Sequence, residues 1–295
     1  MRSARPFGRA ADWAQLLRIS AVFSVPGDAL AGAAACGQRA DRGTLAAMGA
    51  SLCLYEAGMA LNDYSDREID AVERPGRPLP SGRIAPAATL AASVVLTAAG
   101  LRLAAAAGRP ALLTATALAG TVWAYDMRLK HTPFGPAGMA AARALDLVLG
   151  AVATRGTRPA DGSRRRRAVA GSAALLGAHT YAVTAVSRHE TLGAPAAVPL
   201  AALGATTAVA TATGRAGRVP AVFAAAYGAA AARPLAHAAA NPSPQLLQRA
   251  VGGGIRATIP LQAALAARAA RPGTAAALLA LLPLAGRLSR KVSPT

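Results

Sequence analysis

The sequence predicts an all-α fold: a polytopic membrane helical bundle of nine or ten transmembrane helices, forming a single domain over residues 1–295. Three observations carry this expectation. More than half of the chain is apolar (54%), while only 15% is charged. The apolar residues fall into successive stretches close to the roughly 20 residues that a helix needs to cross a bilayer. Acidic residues largely avoid those stretches: of 13 in the chain, five lie between Asp63 and Glu73.

In chain order the apolar segments run at 13–36, 43–62, 86–107, 110–126, 134–154, 168–187, 195–213, 218–238, 246–267 and 273–288. The basic start, Met1 to Asp12, precedes a segment without a small-residue cleavage pattern, so the first helix is expected to stay. Segment 246–267 contains Gly252-Gly253-Gly254, Arg256 and Pro260 and is expected to be broken or re-entrant. With a cytoplasmic N-terminus, the polar stretches 63–85, 127–133 and 187–194 share the cytoplasmic side of a cell membrane. Their arginines agree with the positive-inside rule. The cluster Arg164 to Arg167 then falls on the opposite side against that rule, and the tail Arg287 to Lys291 prefers the cytoplasm.

The net charge of +19 is almost wholly arginine, with lysine only at positions 130 and 291. Nucleic-acid binding would need a basic face with aromatic or groove-fitting context, which is missing. Anionic membrane lipids are the better partner for this charge. Cys36 and Cys53 lie in apolar runs and suggest neither a disulfide nor a metal site.

The acidic block reads Asn62-Asp63-Tyr64-Ser65-Asp66-Arg67-Glu68-Ile69-Asp70 and continues through Arg74, Arg77, Pro78-Leu79-Pro80-Ser81-Gly82 to Arg83. On a continuing helix, Asn62, Asp66 and Asp70 are spaced by four and share a face. Converging oxygen ligands suit a hard divalent cation such as Mg²⁺, which is usually held by a few carboxylates together with substrate phosphates. Arginines beside the same spot match a diphosphate. A solvated acidic turn held by surface ion pairs is the alternative.

This block resembles the first aspartate-rich signature, N-D-x-x-D-x-x-x-D, of the UbiA superfamily of intramembrane prenyltransferases. Asn62, Asp63, Asp66 and Asp70 occupy all four fixed positions. A second family feature, Y-x-x-x-L-K, is matched by Tyr125 to Lys130. The runs 25–32 and Ser187-Arg188-His189-Glu190 resemble an EboC-like branch of the superfamily, which is associated with export of a metabolite precursor. The resemblance implies Mg²⁺-dependent transfer of a prenyl group from a prenyl diphosphate to a lipophilic or aromatic acceptor. It implies metal ligation by Asn62, Asp63, Asp66, Asp70 and Glu190, and diphosphate contacts from Arg67, Arg77, Arg83 and Lys130. Asp66, Asp70, Lys130 and Arg188 are the residues expected to carry catalysis, with Tyr125 beside the substrate.

Superfamily enzymes usually carry a second acidic motif, D-x-x-x-D, after the sixth helix. Here that place holds only Glu190. Either one metal plus Arg188 replaces two metals, or the site binds a prenyl diphosphate without reacting it; Asp126 is a further acid on the same side. Deeper in the membrane, Asp28, Glu56, Arg143 and Asp146 are costly enough to mark a cavity by default. Arg143 and Asp146, one turn apart, could pair on their own helix and merely fix packing, or line the cavity. Asp28 and Glu56 have no neighbour in sequence and are expected to line the substrate cavity, as would Arg143 and Asp146.

Overall fold

In the computed structural model, residues 8–18, 24–154 and 162–280 are described. Helices account for nearly all of them: α1 (Ala10–Leu16), α2 (Val25–Ala35), α3 (Arg42–Ser65), α4 (Arg67–Glu73), α5 (Pro86–Ala107), α6 (Arg109–Ala124), α7 (Gly135–Ala153), α8 (Gly162–Ser187), α9 (Ala197–Gly214), α10 (Arg218–Ala240) and α11 (Pro244–Arg268). A π-helical turn, Tyr125–Leu129, extends α6.

Local signals set many of the boundaries. Asp41 caps α3, its carboxylate accepting from the Thr44 amide at 2.9 Å. Prolines stand in the first turns of α5, α6, α7 and α11, where the missing amide donor costs nothing. A single residue, Gly108, joins α5 to α6 with φ of 120°, a conformation that a Cβ would strain. The two helices therefore run antiparallel.

Two expectations about segments are corrected. The first apolar segment is not one spanning helix: its described residues form the short α1 and the 11-residue α2. Segment 246–267 is not broken but lies within the continuous 25-residue α11. Gly253 and Gly254 let Pro234 and Val183 pack against the helix, so they serve close approach and not a break. Among the described residues, six helices (α3, α5, α7, α8, α9 and α10) are long and apolar enough, by length and composition, to cross a membrane. The others fall short of that measure for physical reasons. α2 and α6 are short, and α11 carries Gln248, Arg249, Arg256 and Gln262. Segment 273–288 is helical over 272–280, and the rest of it, with Arg287 to Lys291, lies outside the described residues.

The bundle places its polar helix inside. From Ala257 to Ala267 every residue of α11 is buried, whereas the more apolar α5 exposes Val94, Val95 and Leu103. A membrane protein sorts its faces in this way because lipid tails solvate apolar side chains and the interior must satisfy the polar ones. α2 is wedged against α3, α7, α8 and α11. Its approach to α7 is close: a Cβ on Gly32 would lie 2.0 Å from the Leu147 carbonyl oxygen, and one on Gly150 2.3 Å from the Ala29 Cα. Small residues at such crossings let backbones meet without a hydrophobic drive. This crossing brings Asp28 of α2 to Arg143 of α7.

Candidate active site

The acidic block sits at the C-terminal end of α3. Asp66 leaves helical geometry (φ −90°, ψ 5°), yet the Asp66 and Asp70 amides still donate to the Asn62 and Asp66 carbonyls at 3.0 and 2.8 Å. The chain thus turns by one residue between α3 and α4 without losing its hydrogen bonds. The expected sharing of one face by Asn62, Asp66 and Asp70 changes accordingly. Asp63 and Asp70 are the buried pair, at 4% and 3% exposure. Arg77 spans them, with Nη1 at 2.5 Å from Asp70 Oδ2 and 3.5 Å from Asp63 Oδ1. Asn62 instead donates to Asp126 Oδ1 at 3.1 Å. Asp66 takes Lys130 Nζ at 2.6 Å and His131 at 3.2 Å.

Lys130 reaches α3 because of the π-helical turn. Its amide donates to the Tyr125 carbonyl, five residues back, at 2.9 Å. The extra residue in that turn presents Asp126 and Lys130 together to the end of α3, and Lys130 also donates to Ser65 Oγ at 2.7 Å. Such one-residue insertions in helices are frequent at functional sites.

Sequence reasoning missed Arg18. It follows α1 and has a left-handed backbone (φ 48°), which a residue with a Cβ adopts only at a cost of about 1–3 kcal/mol. Its guanidinium lies 3.3 Å from Asp63 Oδ1. No motif contains it, so nothing in the linear pattern could have found it. Arg74 is also at the cluster, 3.9 Å from Asp70 Oδ1.

Two expected diphosphate ligands are engaged elsewhere. Arg67 pairs with exposed Glu68 at 3.2 Å and lies over the Tyr64 ring. Arg83 ties the loop before α5 to α1, through Asp12 and Gln15 at 3.1 Å, and closes the loop on its own Gly76 carbonyl at 2.7 Å.

The loop after α8 comes to the same end of the bundle. Burial pushes the Glu190 carboxyl above its ordinary value, and the nearby Arg74 guanidinium partly offsets this. Gln248 of α11 holds the Glu190 carbonyl at 3.3 Å. Arg188 is exposed and forms no ion pair among the described residues, but it is close enough to act on Tyr125 electrostatically. Arg74 of the 63–85 loop and Glu190 of the 187–194 loop thus act on each other electrostatically at this end of the bundle.

Deeper in, the Arg143–Asp146 pair on one helix is not formed. Arg143 Nη1 lies 3.0 Å from Asp28 Oδ2 across the α2–α7 crossing, and Gln262 Nε2 of α11 donates to Asp28 Oδ1 at 2.6 Å. Asp146 accepts from Ser51 of α3. A buried carboxylate opposite a guanidinium on another helix avoids the cost of an unpaired ion, and that gain exceeds what a pair on one helix surface offers. Glu56 has one carboxylate oxygen, Oε2, buried without a hydrogen-bond partner.

The residues present fit a hard cation. Among the described residues no three Asp, Glu, His or Cys side chains close into a cage. Each acid at the end of α3 is held by a cationic side chain or, for Asp126, by an amide. Mg²⁺ is bound through one or two carboxylates and the substrate's own phosphates, so oxygens neutralised by movable arginines and a lysine suit it better than a rigid all-protein cage.

Fold and site together define a polytopic helical membrane protein with an acid–arginine cluster at one end of its bundle. The chain belongs to the UbiA prenyltransferase family, whose sequence profile matches residues 22–249. A digeranylgeranylglyceryl phosphate synthase of Methanothrix thermoacetophila is 46% identical over 84 residues, 28% of this chain and 32% of that protein. The synthase of Methanopyrus kandleri is 36% identical over 115 residues, 39% of this chain and 41% of that protein. The chain therefore matches only about a third to two fifths of the length of these relatives. Among solved structures, a UbiA homologue from Aeropyrum pernix K1 superposes with a TM-score of 0.68 at 17% identity, covering 83% of this chain and 96% of that one. A homologue from Archaeoglobus fulgidus bound to GPP and Mg²⁺ gives 0.59 at 15% identity, covering 91% and 99%. These structures share the fold.

Proposed function

We propose that this protein, as one membrane domain, transfers a prenyl group from a prenyl diphosphate to a lipophilic acceptor within a cell membrane, with Mg²⁺ at a site facing the cytoplasm. The observation that carries the proposal is the buried Asp63–Arg77–Asp70 bridge at the end of α3, flanked by Lys130 on Asp66. It concentrates carboxylates for a cation and positive charge for a diphosphate in one place. The reaction breaks the bond between the allylic carbon and the diphosphate oxygen. Diphosphate leaves with the electron pair, and the acceptor's nucleophilic atom takes the carbon and releases a proton.

Mg²⁺, when bound, would neutralise charge developing on the leaving group. Asp63, Asp66 and Asp70 would hold it, with Asn62 and Glu190 as further oxygen donors. Arg77, Arg74 and Lys130 would turn from the carboxylates to the diphosphate oxygens as the cation takes their place. Arg18 and Arg188 border the same end. The apolar helices exclude water, which would otherwise capture an allylic cation. Asp28, Arg143, Asp146 and Tyr125 would line the substrate cavity. The digeranylgeranylglyceryl phosphate synthases among the relatives support a lipophilic acceptor; an aromatic one is the alternative from the sequence resemblance.

A second reading has its own observation. Glu190 faces Arg74 with no second acid in its loop, which also suits a protein that binds or moves a lipid-linked precursor without turnover, as in the EboC-like branch. Purified protein incubated with labelled prenyl diphosphates of graded length and Mg²⁺ separates the two. Diphosphate release on addition of lipophilic acceptors is expected. Tight Mg²⁺-dependent binding with no release under any acceptor would overturn transfer in favour of the second reading.

A further inference from the structure

The end of the bundle opposite the acidic block contains a second charged feature that prenyl transfer does not use. Three helices fix its position. α3 begins at that end and finishes at Asp66; α8 begins there and finishes beside Glu190; α11 finishes there and begins beside Glu190, through Gln248. Between the start of α8 and the ends of α2 and α11 lies a cavity of about 430 Å³. Arg164, Arg165 and Arg268 line it on the charged side, and Ala35, Ala168 and Leu265 are part of its apolar wall. Among the described residues no Asp or Glu lines it.

Two of these arginines are held in place by backbone and not by acids. Arg165 Nη2 donates to the Ala151 carbonyl at 3.1 Å, and Arg268 Nη1 to the Ala212 carbonyl at 3.2 Å. A guanidinium carries five N–H donors and keeps its charge, so each arginine retains donors and a full positive charge facing the cavity. The start of the 26-residue α8 adds the partial positive charge of its helix dipole at the same rim. Arg164 and Arg268 are exposed at the rim and Arg165 is half-buried, so the cavity presents positive charge to an incoming anion.

We infer that this cavity is a binding site for the phosphate headgroup of an anionic phospholipid. Phosphate matches the forked donors of arginine. A lipid fits better than free phosphate because the wall beside the arginines is apolar and the cavity lies where spanning helices end, at headgroup depth. Basic pockets between helices at a membrane surface have this chemistry. The site is separated from the acidic block by the length of α3 and does not depend on the proposed transfer.

The test is native mass spectrometry of the full chain in detergent, titrated with phosphatidylglycerol, with phosphatidylcholine of the same acyl chains, and with inorganic phosphate. Wild type is expected to retain one phosphatidylglycerol at a concentration roughly tenfold below that needed for phosphatidylcholine. Equimolar phosphate should not displace it. The double variant R165Q/R268Q should lose the preference, and R165K/R268K should keep most of it. Should the glutamine variant fail to unfold at the wild-type temperature in the same detergent, Ala168→Phe, which fills the apolar wall and leaves the arginines, must lose the retained lipid. Equal retention of the two lipids by wild type would overturn the inference. So would an unchanged preference in R165Q/R268Q and Ala168→Phe, or displacement by equimolar phosphate.

Discussion

At the scale of single residues, the cluster separates cations that touch the buried acids from cations that do not. Arg77 spans Asp63 and Asp70, so Arg77→Ala leaves two buried carboxylates without their shared partner. Losing one side of a buried pair costs about 3–5 kcal/mol. We expect the variant to lose Mg²⁺-dependent binding of geranyl diphosphate and to melt at lower temperature. Arg67, paired with exposed Glu68, is the control: Arg67→Ala should change stability by about 1 kcal/mol or less and leave binding intact. Asp66→Ala and Asp70→Ala should abolish binding while the protein stays folded. Isothermal titration with and without Mg²⁺ measures all four, and unchanged binding in both aspartate variants would reduce the block to a surface ion-pair network.

Glu190 makes a prediction in pH. Its ordinary value is 4.5, and burial raises it in the folded protein. A raised carboxyl binds its proton more tightly when folded, so its neutral form supports the fold at low pH and this support is lost as pH rises through the raised value. Metal ligation requires the ionised form, so the Mg²⁺ affinity that depends on Glu190 should grow as pH rises through that value. In Glu190→Gln that part of the pH profile should be flat. A profile identical to wild type would remove Glu190 from the metal site.

At the scale of elements, the π-helical turn decides whether Lys130 meets Asp66. Each residue on a helix turns the side-chain direction by about 100°. Deleting Met127 should convert 125–129 to ordinary helix and swing Lys130 off Asp66. Diphosphate release should fall to the level of Lys130→Ala, while circular dichroism remains helical. Full activity in the deletion would show that the turn does not set the register of the site. The sequence announces Tyr125 to Lys130 as a motif but not the turn, because a π insertion depends on what the flanking helix packs against. α11 shows the same limit from the other side. Its glycines and Pro260 look like breakers, yet the helix continues, since Pro234 and Val183 fill the space that the glycines leave.

At the scale of the whole molecule, the interior ion pair joins α2, α7 and α11 near the crossing of Gly32 and Gly150. Arg143→Met should destabilise the bundle by about 3–5 kcal/mol, because Asp28, fully buried, loses the cationic partner that it has among the described residues. The double variant Asp28→Asn/Arg143→Met should recover much of that loss. Thermal unfolding in nanodiscs checks the difference, and additive losses would mean that the two residues do not act as a pair.

By itself the sequence determined the helical membrane class, the placement of the acids in one block, and the family resemblance. These are properties of composition and of spacing along a single helix, and bilayer thickness and helix geometry act on them locally. Tertiary structure decided the partners. Arg18 reaches Asp63 from 45 residues away, Arg143 takes Asp28, 115 residues away, over Asp146 one turn along, and Asn62 turns to Asp126. A buried charge is satisfied by whichever opposite group the packing brings within about 4 Å, and distance along the chain carries no information about that.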